Sequence, residues 1–119
     1  MRYALLIYGD EAQANQMSKE EGDAVMAAYF AFGERYKDKI VGGDALNFSS
    51  TATSVRVRDG KAMTTDGPFA ETKEQLGGFY LVNAANLDEA IAIAAEIPGA
   101  KNGTIEVRPV MEFDTPPQA

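Results

Sequence analysis

Two segments of this chain are apolar on both of their alternating faces, and that restricts the fold more than any other feature. Arg2 to Tyr8 puts Tyr3, Leu5 and Ile7 on one side and Ala4, Leu6 and Tyr8 on the other. Gly78-Phe79-Tyr80-Leu81-Val82 is likewise apolar on both sides. Such strands belong in the middle of a sheet, with both faces lying against apolar material.

The remaining pattern supplies the rest of that sheet and a cover for one face. Ser18-Lys19-Glu20-Glu21 has capping-box spacing, so a helix is expected from there to about Asp38, with Val25, Tyr29, Phe32 and Tyr36 as its apolar stripe and Met26 and Phe30 widening it. Gly9 to Met17 reads as a loop. Ile40 to Leu46 reads as a strand interrupted at Gly42-Gly43, the mark of a bulge or a close backbone approach. Ser54 to Arg58 and Lys61 to Thr65 flank Asp59-Gly60 and form a hairpin. Asn86 and Glu89 open a second helix with Leu87, Ala90, Ile91, Ala94 and Ile97 buried, and Pro98-Gly99 ends it. Thr104 to Phe113 is the last strand, and Asp114 to Ala119 is an extended, mobile tail.

The expected architecture is therefore α+β: a ferredoxin-like split β-α-β sheet with an inserted β-hairpin, in a single domain over residues 1–113 and a tail over 114–119. Two helices cover only one side of such a sheet. The other would expose more apolar surface than the few hundred Å² usual for a monomer, so a homodimer with an isologous interface is expected.

At 119 residues the chain is long enough for one domain with a core and too short for two ordinary ones. No apolar run approaches the length of a membrane span, and Met1 to Tyr8 is followed by Gly9-Asp10-Glu11 instead of a small-residue cleavage site. The net charge of −7, without any Lys/Arg cluster, argues against nucleic acid as a partner. Cysteine is absent, which excludes disulfides and thiolate chemistry and fits a reducing, cytoplasmic setting. Histidine is absent too, leaving carboxylates, lysine, tyrosine and hydroxyls for any proton transfer.

The densest stretch for chemistry is Asp66-Gly67-Pro68-Phe69-Ala70-Glu71-Thr72-Lys73-Glu74. Asp66 can close an Asx-type turn that Gly67 and Pro68 stiffen, with Glu71 and Lys73 returning towards it. Read blandly, this is a rigid turn with solvated charges. Read functionally, Asp66 is a base or hydrogen-bond acceptor in a partly buried cleft. Arg56, Arg108 and Glu106 are expected on the face away from the helices, either as structural ion pairing or, for the arginines, as receivers of an anionic group. Tyr8 and Tyr80 offer hydroxyls near the ends of the central strands, with a core role as the alternative. Asp66, Glu71 and Glu74 match no cation-binding loop, and neither Gly42-Gly43 nor Gly77-Gly78 forms a phosphate-binding fingerprint, so no metal and no cofactor is assigned.

The nine-residue motif beginning at Asp66, followed by Gly77-Gly78-Phe79-Tyr80 and by Gly103-Thr104-Ile105-Glu106-Val107-Arg108-Pro109-Val110, resembles the YCII-related family, specifically its DGPF-domain branch. The resemblance runs from the first strand to about Glu112. It implies a dimeric ferredoxin-like α/β barrel with a cleft near the dimer interface. In the wider family, a histidine beside the motif aspartate underlies the proposed enzymatic role; Asp66 matches that aspartate, but the histidine has no counterpart here. Some members of the branch are encoded beside, or fused to, sigma factors of the extracytoplasmic-function group.

The leading expectation is a homodimer that binds a small anionic or carbonyl-bearing metabolite. The residues named for it are Asp66, Arg56, Glu71, Lys73, Tyr80, Glu106 and Arg108. The alternative is an accessory or regulatory protein whose acidic surface docks a sigma factor.

Overall fold

The computed structural model describes residues 1–113. Along them run β1 (Arg2–Gly9), α1 (Glu11–Asn15), α2 (Lys19–Arg35), β2 (Ile40–Ala45), β3 (Thr53–Arg58), β4 (Lys61–Asp66), β5 (Gln75–Asn83), α3 (Leu87–Ala95) and β6 (Thr104–Pro109). Short 3-10 turns occupy Ser49–Thr51 and Pro98–Lys101. The expected tail over 114–119 lies outside the described residues.

Four strands form one sheet in the order β2-β5-β1-β6, each antiparallel to its neighbours. With α2 and α3 as the two crossovers this is the ferredoxin-like arrangement, and the two doubly apolar strands are its interior pair. Strand register sorts the side chains by face. Tyr3, Leu5 and Ile7 stand beside Val82, Tyr80 and Gly78 on one flank and Pro109, Val107 and Ile105 on the other. This face meets the helices: Tyr3, Leu5, Phe32, Val82, Ala84, Ala90, Ile93, Ala94 and Ile97 make one buried cluster. Leu5 and Val82 are fully buried, which stabilises the fold by about 1.5–3 kcal/mol apiece.

Ala4, Leu6 and Tyr8 point to the opposite face, with Leu81 and Phe79 on one flank and Arg108, Glu106 and Thr104 on the other. Nothing in the described chain layers over it. The shortest principal dimension is 19 Å, room for one sheet and one layer of helices.

Both helix starts follow the sequence reading. Ser18 Oγ accepts from Glu21 N at 3.1 Å while Glu21 Oε1 accepts from Ser18 N, a complete capping box, and Asn86 Oδ1 accepts from Glu89 N at 2.9 Å. The buried stripes differ from expectation. In α3, Ile93 joins Ala90, Ala94 and Ile97 inside, while Leu87 and Ile91 are exposed. The helix is apolar around most of its circumference, so sequence periodicity leaves its rotation open, and the sheet selects the side where small Ala90 and Ala94 permit close approach. In α2 only Phe32 is buried; Met26 and Phe30 are 60% and 71% exposed. Ion pairs join the surfaces of these layers, Arg35 to Glu96 at 3.1 Å and Lys39 to Glu89 at 3.1 Å.

Gly9 to Met17 is not all loop. Asp10 Oδ1 accepts from Ala12 N and caps the short α1, whose five residues fall below the length at which a helical pattern is legible. The last strand ends at Pro109 instead of Phe113, because β1 begins at Arg2 and offers no further partner; Val110 N donates to Arg2 O as the final rung.

The Gly42-Gly43 interruption is a bulge: register shifts between Ile40 and Gly42. Gly43 has φ +147°, and a Cβ there would lie 2.5 Å from Phe79 O. The hairpin also forms as read, with Asp59 at φ 51° and Gly60 at φ 74°, the type I′ turn that Asp-Gly favours. It pairs only with itself, as a separate two-stranded sheet.

Two outcomes are expected. Gly43→Ala should destabilise the chain by at least about 2 kcal/mol, combining backbone strain with a steric clash, seen as a lower urea midpoint. Tyr29 and Tyr80 both hold their protons more tightly than a free tyrosine, chiefly because of burial. Their neutral forms therefore favour folding, and that contribution is lost as pH rises from 10.0, the ordinary value, through the higher folded values. Melts between pH 9 and 12 (about one unit below the ordinary tyrosine value to about two above) should show falling stability, with a shallower slope in a Tyr29→Phe/Tyr80→Phe variant.

Candidate functional site

The motif loop connects β4 to β5, and both of its ends are pinned. Gly67, with φ +95°, donates its N–H to Ala52 O at 2.7 Å, and its carbonyl accepts from Ser54 Oγ at 2.9 Å. The Asx turn expected at Asp66 does not form. Asp66 instead closes the hairpin ladder opposite Thr53, so the backbone donors are satisfied by the ladder and by Ala52. At the other end Gln75 Nε2 donates to Thr72 O at 2.6 Å, and Gln75 Oε1 accepts from Glu11 N at 3.0 Å. Glu11 in turn accepts from both Ser49 N and Ser49 Oγ at 2.6 Å. One relay thus ties loop, α1 and the turn at Ser49 together.

This anchoring brings the end of the loop against the end of the open sheet face. A hollow of about 500 Å³ there is lined by Tyr8, Thr72, Glu74, Thr104, Ile105 and Glu106. Thr104 Oγ1 donates to Glu74 Oε1 at 2.8 Å, bridging loop and β6. Arg108 Nε donates to Glu106 Oε2 at 2.7 Å, and a second guanidinium nitrogen reaches the same oxygen. Gly103 explains how β6 enters so close to β1: a Cβ at this position would sit 2.1 Å from Tyr8 O. The walls are mostly carbon, with carboxylates and hydroxyls at a few points.

Of the residues named for ligand binding, Glu106 lines the hollow and Arg108 is its partner. The others are dispersed. Asp66, Glu71 and Lys73 are exposed and, among the described residues, their side chains make no hydrogen bond or ion pair. Arg56, expected on the same face as Arg108, belongs to the separate hairpin and stacks over Phe69 at 4.9 Å. The strand that carries it pairs only with β4, so no register aligns it with β6. Tyr80 projects to the helix-covered face, against Phe32 at a ring separation of 5.0 Å, and borders a different hollow of about 330 Å³ with Met26, Tyr29, Phe30, Gly33 and Glu34. Alternation along β5 forces this: Tyr80 sits opposite buried Leu5.

The sequence reading named Tyr8 only as a spare hydroxyl and Glu74 only as a possible cation ligand, and it passed over Thr72 and Thr104. Thr72 and Glu74 fall inside the motif, but nothing local says that they meet Tyr8 and Thr104. Thr104 and Glu74 are 30 positions apart, and Glu11 and Ser49 are 38 apart. At the far end of the open face Arg2 grips Glu112 through two bonds, at 2.9 and 3.1 Å, and this hydrogen bonding holds the Glu112 carboxyl below the usual range. Among the described residues no group of three or more His, Cys, Asp or Glu side chains is placed to hold a metal ion, and no helix is long and apolar enough to cross a membrane.

Comparison with known proteins adds three findings. A family model described as YCII-related domain matches residues 1–114. An uncharacterized protein from Rhizobium meliloti (strain 1021) is 40% identical over 114 residues, covering 92% of each chain. The fold is similar to that of 5-chloro-2-hydroxyhydroquinone dehydrochlorinase from Burkholderia phenoliruptrix AC1100, solved in complex with 2,5-dihydroxybenzoquinone. The TM-score is 0.54 at 17% identity, and the match covers 95% of this chain and 96% of that one.

The relay makes a prediction of its own. Glu11→Ala removes both bonds to Ser49 and should cost about 1–3 kcal/mol. Limited proteolysis should then cut faster between Leu46 and Ala52, whereas unchanged cleavage would mean that the Glu11 carboxylate does not hold this turn.

Proposed function

The chain belongs to the YCII-related domain family, and from that premise we propose that it binds a small hydroxylated, carbonyl-bearing ring in the hollow at the end of the open sheet face. The observation that carries this reading is the chemistry of the lining. Glu74 and Glu106 are acceptors when ionised, Tyr8 can donate or accept, Thr72 and Thr104 give their hydroxyl protons to Glu74 and keep only acceptor capacity, and carbon forms the remaining walls. Such a set suits ring hydroxyls that donate to carboxylates and a ring oxygen that accepts from a hydroxyl.

Of the two ligand chemistries read from the sequence, anionic and carbonyl-bearing, the lining favours the second. The Glu74 carboxylate repels an anion, and the guanidinium of Arg108 is already paired with Glu106. The quinone-type ligand named for the structurally similar dehydrochlorinase is of compatible size and oxygen pattern, which supports the choice of probe. Any proton transfer falls to a carboxylate, Glu74 or Glu106, because the chain has no histidine. The motif at Asp66-Gly67-Pro68-Phe69 assigns the chain, in this reading, to the DGPF branch. A second copy closes the open face and walls in the hollow, since Ala4, Leu6, Tyr8, Phe79 and Leu81 otherwise leave a contiguous apolar surface without a cover. No observation favours docking of a sigma factor.

Calorimetric titration with hydroquinone and, separately, with 4-hydroxybenzoate tests the reading. The neutral diol should bind, the carboxylate should bind at least about tenfold more weakly, and Glu106→Gln should weaken the diol by about tenfold while Asp66→Asn changes little. Tighter binding of the carboxylate would return the site to the arginines. A larger loss in Asp66→Asn than in Glu106→Gln would move it to the motif aspartate.

A further inference from the structure

The β3–β4 hairpin is out of keeping with the rest of the chain. All of its residues except Ser54 are exposed, and it shares no ladder with the main sheet. Cross-strand pairs Val55–Thr64 and Val57–Ala62 put the two valines on one face, 61% and 62% exposed, while Arg56 and Met63 share the other, with Met63 55% exposed. A lone two-stranded hairpin is at best marginally stable in water, and an alternating valine stripe facing solvent is an aggregation hazard. The radius of gyration, 16.7 Å, exceeds the roughly 13.5 Å of a compact chain of this length. The hairpin is nevertheless not loosely attached. Gly67 to Ala52, Ser54 to Gly67 and the Glu11–Ser49 clamp fix its root to the motif loop and to α1.

Charge distinguishes it further. Three of the chain's eleven basic residues and one of its eighteen acidic residues fall between Arg56 and Lys61, leaving the remainder of the chain at −9. A basic tip projects from an acidic body, which makes a second copy of the same chain its electrostatic complement.

We propose that the hairpin is an arm that docks on a second copy of this chain, laying Val55 and Val57 on its apolar open face while Arg58 and Lys61 reach its carboxylates. The proposal rests on the dimer described under the proposed function and adds a second contact to it.

Analytical ultracentrifugation of wild type, a Val55→Asp/Val57→Asp variant and a Leu6→Asp variant, each checked for folding by circular dichroism, separates the two claims. Wild type should be a dimer that weakens with salt, and both variants should dissociate at least about tenfold more readily. If Leu6→Asp dissociates and the valine variant dimerises like wild type, the arm is overturned and the open-face dimer stands. If only the valine variant dissociates, the arm docks and the open face is not its seat. A monomeric wild type would overturn both. Should the valine variant fail to fold, hydrogen exchange of wild type decides: hairpin amides protected when concentrated and exposed on dilution support docking, and equally fast exchange in both conditions refutes it.

Discussion

Everything in this molecule depends on a four-stranded sheet whose two central strands are apolar on both faces and which has helices on one. The two crossovers of a split β-α-β chain are delivered to the same side, so α2 and α3 bury Tyr3, Leu5 and Val82 and leave Leu6, Phe79 and Leu81 without a second layer. The buried side explains why the chain folds. The open side is where its function is to be sought, because it is the surface the fold itself does not consume.

What shapes the open side is a set of close backbone approaches. Gly43 lets β2 press on Phe79, and Gly103 lets β6 enter against Tyr8. The second of these sets Thr104 and Glu106 beside the end of the motif loop, where Thr104 reaches Glu74. The loop is held from behind by Gln75, Glu11 and Ser49, whose hydrogen bonds fix its position beside β6. Family membership and fold similarity fix the scaffold. The acceptor-rich lining narrows the ligand class in a way neither comparison does.

The same anchoring gives the inserted hairpin its significance. A mobile insertion would need no account, but this one is fixed at its root and bare along its length, with its charge opposed to that of the body. In the proposed assembly the arm and the open face of one chain meet the other chain twice.

Local rules specified much of this fold. The doubly apolar strands, the capping box at Ser18, the Asp59-Gly60 turn and the bulge at Gly42-Gly43 each arise from interactions among residues close in sequence or from a strict two-residue period, and each was legible before any coordinates. The motif loop was legible as the densest stretch for chemistry, but which of its residues reach the end of the open face was not. Asp66, the residue its turn chemistry emphasised, faces solvent, whereas Glu74 and Thr104 meet across 30 positions and Tyr80 turns to the core because its partner is Leu5. Pairings of that kind depend on strand register and helix rotation, which are decided when two surfaces pack and the better fit wins. A single sequence records the preferences of each segment, and only the tertiary structure decides which distant segments satisfy them together.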